Sequence, residues 1–552
     1  MLAFIPQRVK RQAQPLMAAS PRFRCLYLLL LPWFALNIDA ATNADLDSPS
    51  GSSAINHDRE SAHQASHHGN VDIQQIRSQY TQYECPFTSE HPIICARMRV
   101  KESRDLIESR WIEFPILVLK SPTPTTKPPV ILLGGGGPGA AVGINGAWQD
   151  FWWENFKPIA LDHGHDVIIM EQRGVGKAKP ALNCEEMRQL MPSVISQPLS
   201  SQQETKLFAE AARQCQQRLQ NIANLGAYSS ISSAHDVEEL RLALGIDKWI
   251  LYGVSYGGRL ALTIMRYFPQ SVHAAILDSI EPPHIQFYEE GPYSVNRAFE
   301  AVFANCQSDR VCAQSFPKID QQFNQLLKKL ARQPLEITLQ HPESETSIKA
   351  VINARRIVEM FFFGLYDLST IELLPAMIHD LNHQGESRSF NQLAQSYLSE
   401  SMNRSWSHGL YYSVQCHEEL PFNNLRQSLS ASHQYPNYHG FHSAWVDIEK
   451  TICGFWQSGQ AEEIENQPVK SDIPALLLTG EYDPVTPPKW SQDTAGYLKN
   501  HQYKYYVNAT HDVGYSKPCS QRVISQFIQS PLTIVDDQAC ENEPDSFRFK
   551  AK

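Results

Sequence analysis

The stretch WILYGVSYGGRLALTIMRYF, residues 249–268, decides the fold. An apolar run ends directly in the pentapeptide GVSYG, residues 253–257, and a helical run follows it. A strand–turn–helix elbow of this kind holds a serine nucleophile in strained backbone geometry, so the positions two before and two after the serine must be very small. Gly253 and Gly257 meet that demand. The pattern predicts that Ser255 is a nucleophile; an ordinary glycine-rich turn is the alternative.

A serine hydroxyl is a weak nucleophile at neutral pH and needs a histidine base that an acid orients. After such an elbow, the acid follows a late strand and the histidine follows the last strand. Asp483 in GEYDPVTPP comes directly after the apolar run ALLLT, and His511 in NATHDVG comes directly after KYYV. We therefore predict a catalytic triad of Ser255, Asp483 and His511. Glu481 and Asp512 are the alternatives to Asp483, and a surface loop histidine is the alternative for His511.

Acyl transfer also needs backbone N–H groups aimed at the developing oxyanion. One is the N–H of Tyr256, the residue after the nucleophile. The glycine-rich loop in VILLGGGGPGA, residues 130–140, lacks the spacing of a nucleotide-binding loop, so an oxyanion loop is the better interpretation. We assign the second donor to Gly137, with Gly136 as the alternative. This chemistry requires no metal and no organic cofactor, and the sequence has no CxxC or HExxH metal motif.

From about residue 79, short apolar runs alternate with helical patterns, which is typical of βα units around a mostly parallel sheet. The alternation breaks after residue 283, and helix-like stretches such as 319–330 and 350–363 follow until about residue 470. Such an insertion predicts a helical cap over the carboxyl edge of the sheet, where open α/β folds bind ligands. Residues 236–244 predict an amphipathic surface helix. The predicted strands are residues 130–133, 166–170, 249–254, 274–277, 475–479 and 504–507.

The N-terminal region has the pattern of an export signal. Residues 25–36 (CLYLLLLPWFAL) follow several basic residues and are too few to span a bilayer as a helix. We therefore expect an exported protein, periplasmic or secreted, with no membrane span after cleavage. The expected segments are a signal peptide (1–40), a disordered polar spacer (41–78), the first part of the core (79–285), the helical cap (286–469) and the second part of the core with a C-terminal tail (470–552).

The cysteine count fits an oxidising compartment. The chain has 11 cysteines, and removal of Cys25 with the signal segment leaves an even number. Sequential pairing is one hypothesis, and buried unpaired thiols are the alternative. The sequential pairs are Cys85 with Cys95, Cys184 with Cys215, Cys306 with Cys312, Cys416 with Cys453, and Cys519 with Cys540.

Composition excludes some classes of function. The 552 residues include 48 Lys+Arg and 58 Asp+Glu, which gives a formal net charge of −10. This balance argues against a nucleic-acid-binding protein. Hydrophobic residues make up 42% of the chain, so it can bury a sizeable core.

Five motifs in order resemble a known family. GGGGPG, EQRGVG, GVSYGG, GEYDPVTPP and THDVG are similar to motifs of the secreted α/β-hydrolase peptidases of the proline iminopeptidase and tripeptidyl aminopeptidase group. The resemblance covers about residues 85–540. It implies an α/β-hydrolase fold with the cap inserted before the strand that carries the catalytic acid, and a serine exopeptidase acting on peptides with a free N-terminus. The chain departs from the family at Gly135, where histidine is common, and at Glu171, where aspartate is usual.

The resemblance also implies where the substrate's α-ammonium group binds. Within the predicted cap, VQCHEELP, residues 414–421, resembles the family's Cys-x-Glu-Asp-x-Pro segment. Glu418 and Glu419 are therefore candidates for binding the substrate amine, because carboxylates form charge-assisted hydrogen bonds with an ammonium. Solvated acids on a cap helix are the alternative. Cys416 suggests that the segment is pinned, with Cys453 as its partner.

Two other functions remain open from the sequence. A carboxylesterase would use the same triad on acyl esters, since a fold and a triad do not fix the substrate. A non-catalytic binding protein that keeps the fold is less favoured because the Ser, Asp and His set is intact.

Overall fold

The computed structural model describes residues 79–123, 125–538, 540 and 547–550. The predicted signal peptide, with Cys25, and the predicted spacer lie outside the described residues. Among the residues described, no helix is both long enough and apolar enough to cross a bilayer.

A nine-stranded sheet forms the centre of the molecule, in the order β1-β2-β3-β5-β4-β6-β7-β10-β11. The first three strands pair antiparallel, as does β3 with β5, and every pairing from β5 to β11 is parallel. β8 and β9 form a separate antiparallel hairpin. The strands are β1 (Tyr80–Tyr83), β2 (Ile93–Lys101), β3 (Trp111–Leu119), β4 (Val130–Leu133), β5 (Val167–Met170), β6 (Trp249–Val254), β7 (Val272–Asp278), β8 (Leu335–Gln340), β9 (Ser347–Ile352), β10 (Ala475–Gly480) and β11 (His501–Tyr506).

Helices cover both faces of the sheet and form the region inserted between β7 and β10. In chain order they are α1 (Gly146–Phe156), α2 (Glu185–Arg188), α3 (Met191–Ile195), α4 (Ser201–Leu219), α5 (Ser230–Leu244), α6 (Tyr256–Tyr267), α7 (Phe287–Ser308), α8 (Arg310–Ser315), α9 (Ile319–Arg332), α10 (Ala354–Gly364), α11 (Leu368–Ile371), α12 (Leu374–His383), α13 (Arg388–Ser401), α14 (His408–Val414), α15 (Leu425–Ser432), α16 (Pro436–Cys453), α17 (Pro488–Ala495), α18 (Val513–Ser516) and α19 (Ser520–Gln529).

The predicted mostly parallel sheet with flanking helices is confirmed. All six residues of β6 are buried, as expected for a strand covered by helices on both faces. Leu251 packs with α5 and α6 on one face, and Tyr252 and Val254 pack with α1 and α19 on the other. The predicted strands at 130–133 and 249–254 have the observed bounds, whereas the strand predicted at 504–507 lies at His501–Tyr506.

The inserted region is helical but also contains the β8–β9 hairpin. The helix predicted over 350–363 begins only at Ala354, because Asn353 caps it and residues 347–352 form β9 instead. α4 packs against α16 of this region, and the Gln216 side chain donates to the Phe455 carbonyl at 2.7 Å. Helices on both sides of the predicted boundary at 285/286 therefore pack together.

The ten cysteines outside the predicted signal peptide form five disulfides, as sequential pairing predicted. One joins β2 to the segment before it, one joins α2 to α4, and one links the turn after α14 to the end of α16. The pairs are Cys85–Cys95, Cys184–Cys215, Cys306–Cys312, Cys416–Cys453 and Cys519–Cys540.

Candidate active site

Ser255 lies at the sharp turn between β6 and α6, with φ of 57° and ψ of −122°. This backbone conformation is strained for a residue other than glycine, as the elbow motif predicted. A Cβ atom at Gly253 would overlap the backbone of Gly257, and one at Gly257 would overlap the Leu133 carbonyl. Both glycines are therefore required by the close approach of α6 to β4 and β6. The backbone N–H of Ser255 donates to the Asp278 carbonyl at 3.0 Å.

Asp483 and His511 form a buried acid–base pair. His511 Nδ1 lies 2.9 Å from Asp483 Oδ2, and both side chains are fully buried. Although burial raises the pKa of a carboxyl, the charge of His511 and hydrogen bonds from His511 and Thr486 lower the pKa of Asp483 below its ordinary value. His511 Nε2 has no hydrogen-bond partner among the described residues. With Nδ1–H directed at the aspartate, Nε2 is the nitrogen left to accept a proton.

Thr486, which the sequence analysis did not single out, fixes this pair. Its Oγ1 lies 2.7 Å from Asp483 Oδ2 and 3.1 Å from His511 Nδ1. The backbone N–H groups of Val485 and Thr486 donate to the other carboxylate oxygen at 3.0 and 2.8 Å. The DPVT sequence thus wraps the aspartate in donors, which holds the carboxylate ionised and in one orientation.

Strand register brings the elbow and the histidine loop to the same edge of the sheet. Val254 is the register partner of Asp278 in β7, and Asp278 is the partner of Leu478 in β10. The Asp278 carboxylate accepts hydrogen bonds from the N–H groups of Val513 and Gly514 at 2.8 and 2.7 Å. Asp278 therefore holds Ser255 through its carbonyl and the segment after His511 through its side chain.

The glycine-rich loop lies against the elbow. A Cβ atom at Gly135 would stand 2.9 Å from the Val254 carbonyl and 3.3 Å from the Ser255 Cβ atom. A side chain at position 135 would therefore require the loop or the elbow to shift. Gly136 and Gly137 follow in left-handed conformations with φ of 96° and 60°. The loop approaches the nucleophile as an oxyanion loop must, and Gly137 stays our predicted donor.

Tyr256 is the first residue of α6, so its N–H has no carbonyl within the helix to pair with. That is the condition for a donor to an oxyanion. The Tyr256 side chain is engaged elsewhere, because its hydroxyl lies within hydrogen-bond distance, 2.8 Å, of the Ser230 hydroxyl.

Glu171 supports the segment that follows the glycine-rich loop. Its carboxylate accepts hydrogen bonds from the N–H groups of Val142 and Gly143 at 3.2 and 3.3 Å. Burial raises the pKa of Glu171 to about 7, although these N–H groups oppose the shift. A Cβ atom at Gly176 would overlap this carboxylate, which explains the second glycine of EQRGVG.

Glu418 and Glu419 lie in a buried acidic cluster, not on the solvated face of a cap helix. Each is 2% exposed, and both contact the guanidinium of Arg259, with 3.3 Å between Glu418 Oε2 and Arg259 Nε. Glu281, which the sequence analysis missed, is 3.6 Å from the same guanidinium. Burial raises the pKa of Glu281, and it raises the pKa of Glu419 to about 8.

The cluster is tied to the elbow and to the inserted region. The backbone N–H of Glu281 donates to the Ser255 carbonyl at 3.2 Å. The N–H of Ser230 donates to Glu418. Glu418 and Glu419 occupy a π-helical turn, Gln415–Glu419, and the Cys416–Cys453 disulfide pins that turn to α16 as the sequence suggested.

Two protein-family models match the chain. One is described as the alpha/beta hydrolase fold and matches residues 128–315. The other is described as TAP-like protein and matches residues 437–540. The two matches include the elbow in the first case and the Asp483–His511 pair in the second.

Three relatives are similar over parts of the chain. Putative hydrolase YuaR of Escherichia coli (strain K12) is 27% identical over 40% of this chain and 43% of its own length. Serine protease Hip1 of Mycobacterium tuberculosis is 22% identical over 70% of this chain and 75% of its own. Tripeptidyl aminopeptidase of Streptomyces lividans is 22% identical over 58% of this chain and 60% of its own. The chain thus spans less than half the length of YuaR.

The mostly parallel sheet, the serine elbow and the matching family model give the chain the α/β-hydrolase fold. A serine protease and a tripeptidyl aminopeptidase are among the proteins it is similar to, so the chain resembles the α/β-hydrolase peptidases.

Proposed function

We propose that this protein is an exported serine exopeptidase that removes N-terminal residues from peptides with a free amino terminus. The observation that carries the proposal is the acidic cluster beside the elbow. Glu281, Glu418 and Glu419 are all buried around one guanidinium, that of Arg259, and Glu281 is hydrogen-bonded to the backbone of Ser255.

Charge balance explains why this cluster suits an ammonium group. A single guanidinium neutralises one of the three carboxylates, and buried charges without a partner are costly. Burial therefore raises the pKa of Glu281 and Glu419. A peptide's α-ammonium placed among these acids would supply the missing positive charge and favour their ionised forms. A substrate whose amine is blocked would supply none.

The proposed reaction follows the serine peptidase sequence. Ser255 Oγ attacks the scissile carbonyl carbon while His511 Nε2 takes the hydroxyl proton. Asp483 orients the imidazole and stabilises its protonated form, and the N–H groups of Tyr256 and Gly137 bind the oxyanion. His511 then gives the proton to the leaving amine as the peptide bond breaks. A water molecule, deprotonated by His511, hydrolyses the acyl-enzyme and restores Ser255.

Five disulfides support the proposal of export, because such crosslinks persist in oxidising compartments. The names of two relatives, a serine protease and a tripeptidyl aminopeptidase, support a peptide as substrate.

The test compares three substrates with the same acyl residues: a peptide with a free amine, its N-acetylated form, and a simple acyl ester. We expect kcat/KM for the free-amine peptide to exceed that of the acetylated peptide by at least about 100-fold, since the acetyl group removes the charge and leaves the cluster unpaired. Equal turnover of the two peptides would contradict the proposal. Turnover of the ester alone would favour a carboxylesterase.

Covalent labelling tests the nucleophile independently. A fluorophosphonate should label the wild-type protein once and should not label Ser255→Ala. If folded wild-type protein resisted labelling, that result would exclude both the exopeptidase and the carboxylesterase and would favour a binding protein. The Ser401→Ala variant is the matched control, because that buried serine at the end of α13 is outside the elbow and should leave labelling intact.

A further inference from the structure

An apolar cavity opens beside the elbow, on the face of the sheet away from α6. Tyr252 and Val254 of β6 line it, and both pack with the face covered by α1 and α19. Arg259, at the centre of the acidic cluster, lies on α6, which covers the opposite face together with α5. The space between its lining residues, with the open solvent at its mouth included, is about 840 Å³. The acidic cluster and the cavity therefore flank the nucleophile from two sides.

The walls of the cavity are the segments that carry the chemistry. Gly135 and Gly136 of the glycine-rich loop form one wall, and Val254 directly precedes Ser255. Asp512 and Gly514, which follow His511, form another wall. A group in this cavity would thus lie next to the histidine loop.

Five of the remaining lining residues are aromatic. Phe151 of α1 has its ring centroid 5.1 Å from that of Trp148 and 5.7 Å from that of Tyr515. All three line the cavity and are partly exposed, so they form its rim. Partly exposed aromatic rings around an apolar cavity favour a large apolar side chain, which gains by leaving water and by ring contacts.

We propose that this cavity is the subsite for the side chain of the first residue of the leaving peptide, and that it takes an aromatic or large aliphatic side chain. The inference rests on the proposed function. In that reaction the leaving nitrogen must receive its proton from His511, so the leaving half lies on the His511 side of Ser255. The acyl half extends the other way, because its ammonium binds at Glu281, Glu418 and Glu419.

The test uses peptides that share the released N-terminal half and differ only in the next residue, phenylalanine, leucine or glycine. Mass spectrometry of the products first fixes which bond is cut. We expect kcat/KM to be about tenfold or more higher for phenylalanine and leucine than for glycine, the range one apolar pocket can supply. Because all these substrates form the same acyl-enzyme, the difference reports acylation and thus the leaving half.

A partition experiment examines the cavity without peptide cleavage. The acyl-enzyme, formed from an ester of the same acyl half with a free amine, is offered phenylalanine amide or glycine amide as a competitor of water. Attack by the α-amine of either amino-acid amide is acylation in reverse, so that α-nitrogen must lie where the leaving nitrogen lies. We expect phenylalanine amide to capture several-fold more acyl groups than glycine amide at equal concentration.

Two variants with a matched control assign the preference to the cavity. Phe151→Ala removes one wall, and Asn155→Trp fills the mouth from the same helix. Each should lower the phenylalanine-to-glycine ratio of kcat/KM at least about fivefold, while turnover of the glycine substrate stays within about twofold. Glu154→Ala, an exposed change on α1, should keep the wild-type ratio.

Three outcomes overturn the proposal. The first is an active wild type that treats phenylalanine and glycine alike in both experiments. The second is a Phe151→Ala variant that changes the preference for the residue on the acyl side of the scissile bond instead. That result would assign the cavity to the acyl half or to the acyl chain of an ester. The third, a wild type that cleaves no free-amine peptide, overturns the proposed function as well.

Discussion

Burial and the charge of Arg259 shift the pKa of Glu419 in opposite directions. Burial raises the pKa of this carboxyl to about 8, while the guanidinium of Arg259 opposes the shift. As the pH rises through that value, the carboxyl loses its proton and the cluster becomes more negative. The α-ammonium of a peptide loses its charge in nearly the same range, with an ordinary pKa of about 8. Amine binding should therefore be strongest in a narrow range of pH.

We expect kcat/KM for a free-amine peptide to pass through a maximum near pH 8 and to rise toward it as Glu419 ionises. In Glu419→Gln the rising side should flatten, and KM should increase at least about tenfold because a charge-assisted hydrogen bond is lost. The measurement is kcat and KM between pH 6 and 9.5 for the peptide and for an ester without an amine. An unchanged peptide KM in Glu419→Gln would contradict the assignment.

The control for this variant is Glu300→Gln, which changes an exposed acid on α7. Its pH profile should match that of the wild type. The ester should respond to neither variant, because it brings no ammonium to the cluster.

Sequence order predicted Ser255, Asp483 and His511 as the triad, because each comes one to five residues after a strand and such positions are local patterns. Glu281 and Arg259 were not found. Their meeting with Glu418 and Glu419 depends on contacts among α6, the segment after β7 and the inserted region, which are distant in sequence. Of these two residues, only Glu281 could have been recognised from the sequence. It stands three residues after a buried strand, at the edge of the sheet where ligands bind.

At the scale of elements, α6 can follow β6 only because Gly257 lets the helix contact β4. We expect Gly257→Ala to lower the free energy of unfolding by about 3 kcal/mol or more, since the new Cβ atom would overlap the Leu133 carbonyl in the backbone of β4. Urea denaturation measures the loss, and fluorophosphonate labelling reports whether the elbow survives.

Gly440→Ala is the matched control, because Gly440 is an exposed glycine inside α16 with nothing within 4 Å of a new Cβ atom. Alanine is favoured over glycine in a helix by up to about 1 kcal/mol, so this variant should be as stable as the wild type or slightly more stable. Equal effects of the two substitutions would show that helix propensity, and not the contact with β4, governs position 257.

Helices and strands were predicted well where a single hydrophobic pattern dominated the segment. β6 was recovered with its bounds because six buried apolar residues precede the elbow. Ala350 was placed in a helix although it lies in β9, because a short apolar run fits either structure and only the Asn353 cap separates them. β2 and β3 were not predicted, since their exposed and buried residues do not alternate regularly.

At the scale of the whole molecule, the cluster depends on a crosslink far from the triad in sequence. The Cys416–Cys453 disulfide closes a loop of 37 residues, which corresponds to about 4 kcal/mol of loop-closure entropy. We expect the Cys416→Ala/Cys453→Ala double variant to have a lower Tm and a higher KM for free-amine peptides, because the turn bearing Glu418 and Glu419 loses its anchor. Turnover of an ester without an amine should change little.

The Cys306→Ala/Cys312→Ala variant is the control for this prediction. That disulfide spans a separation of 6 residues between α7 and α8 and does not join the acidic turn. It should leave the peptide KM at the wild-type value. A rise in KM of the same size in both double variants would mean that general loosening of the fold, and not the position of the turn, sets amine binding.

The neighbouring positions of β7 and β10 have a consequence for how the chain becomes active. Asp278 pairs in register with Leu478, yet the whole inserted region separates them along the chain. While that region is being synthesised, the edge of β7 has no β10 to pair with, and neither Asp483 nor His511 has reached Ser255. The order of synthesis therefore places the meeting of Ser255, Asp483 and His511 at the end of folding, because β10 and β11, which precede the two loops, are the last strands of the sheet to be made.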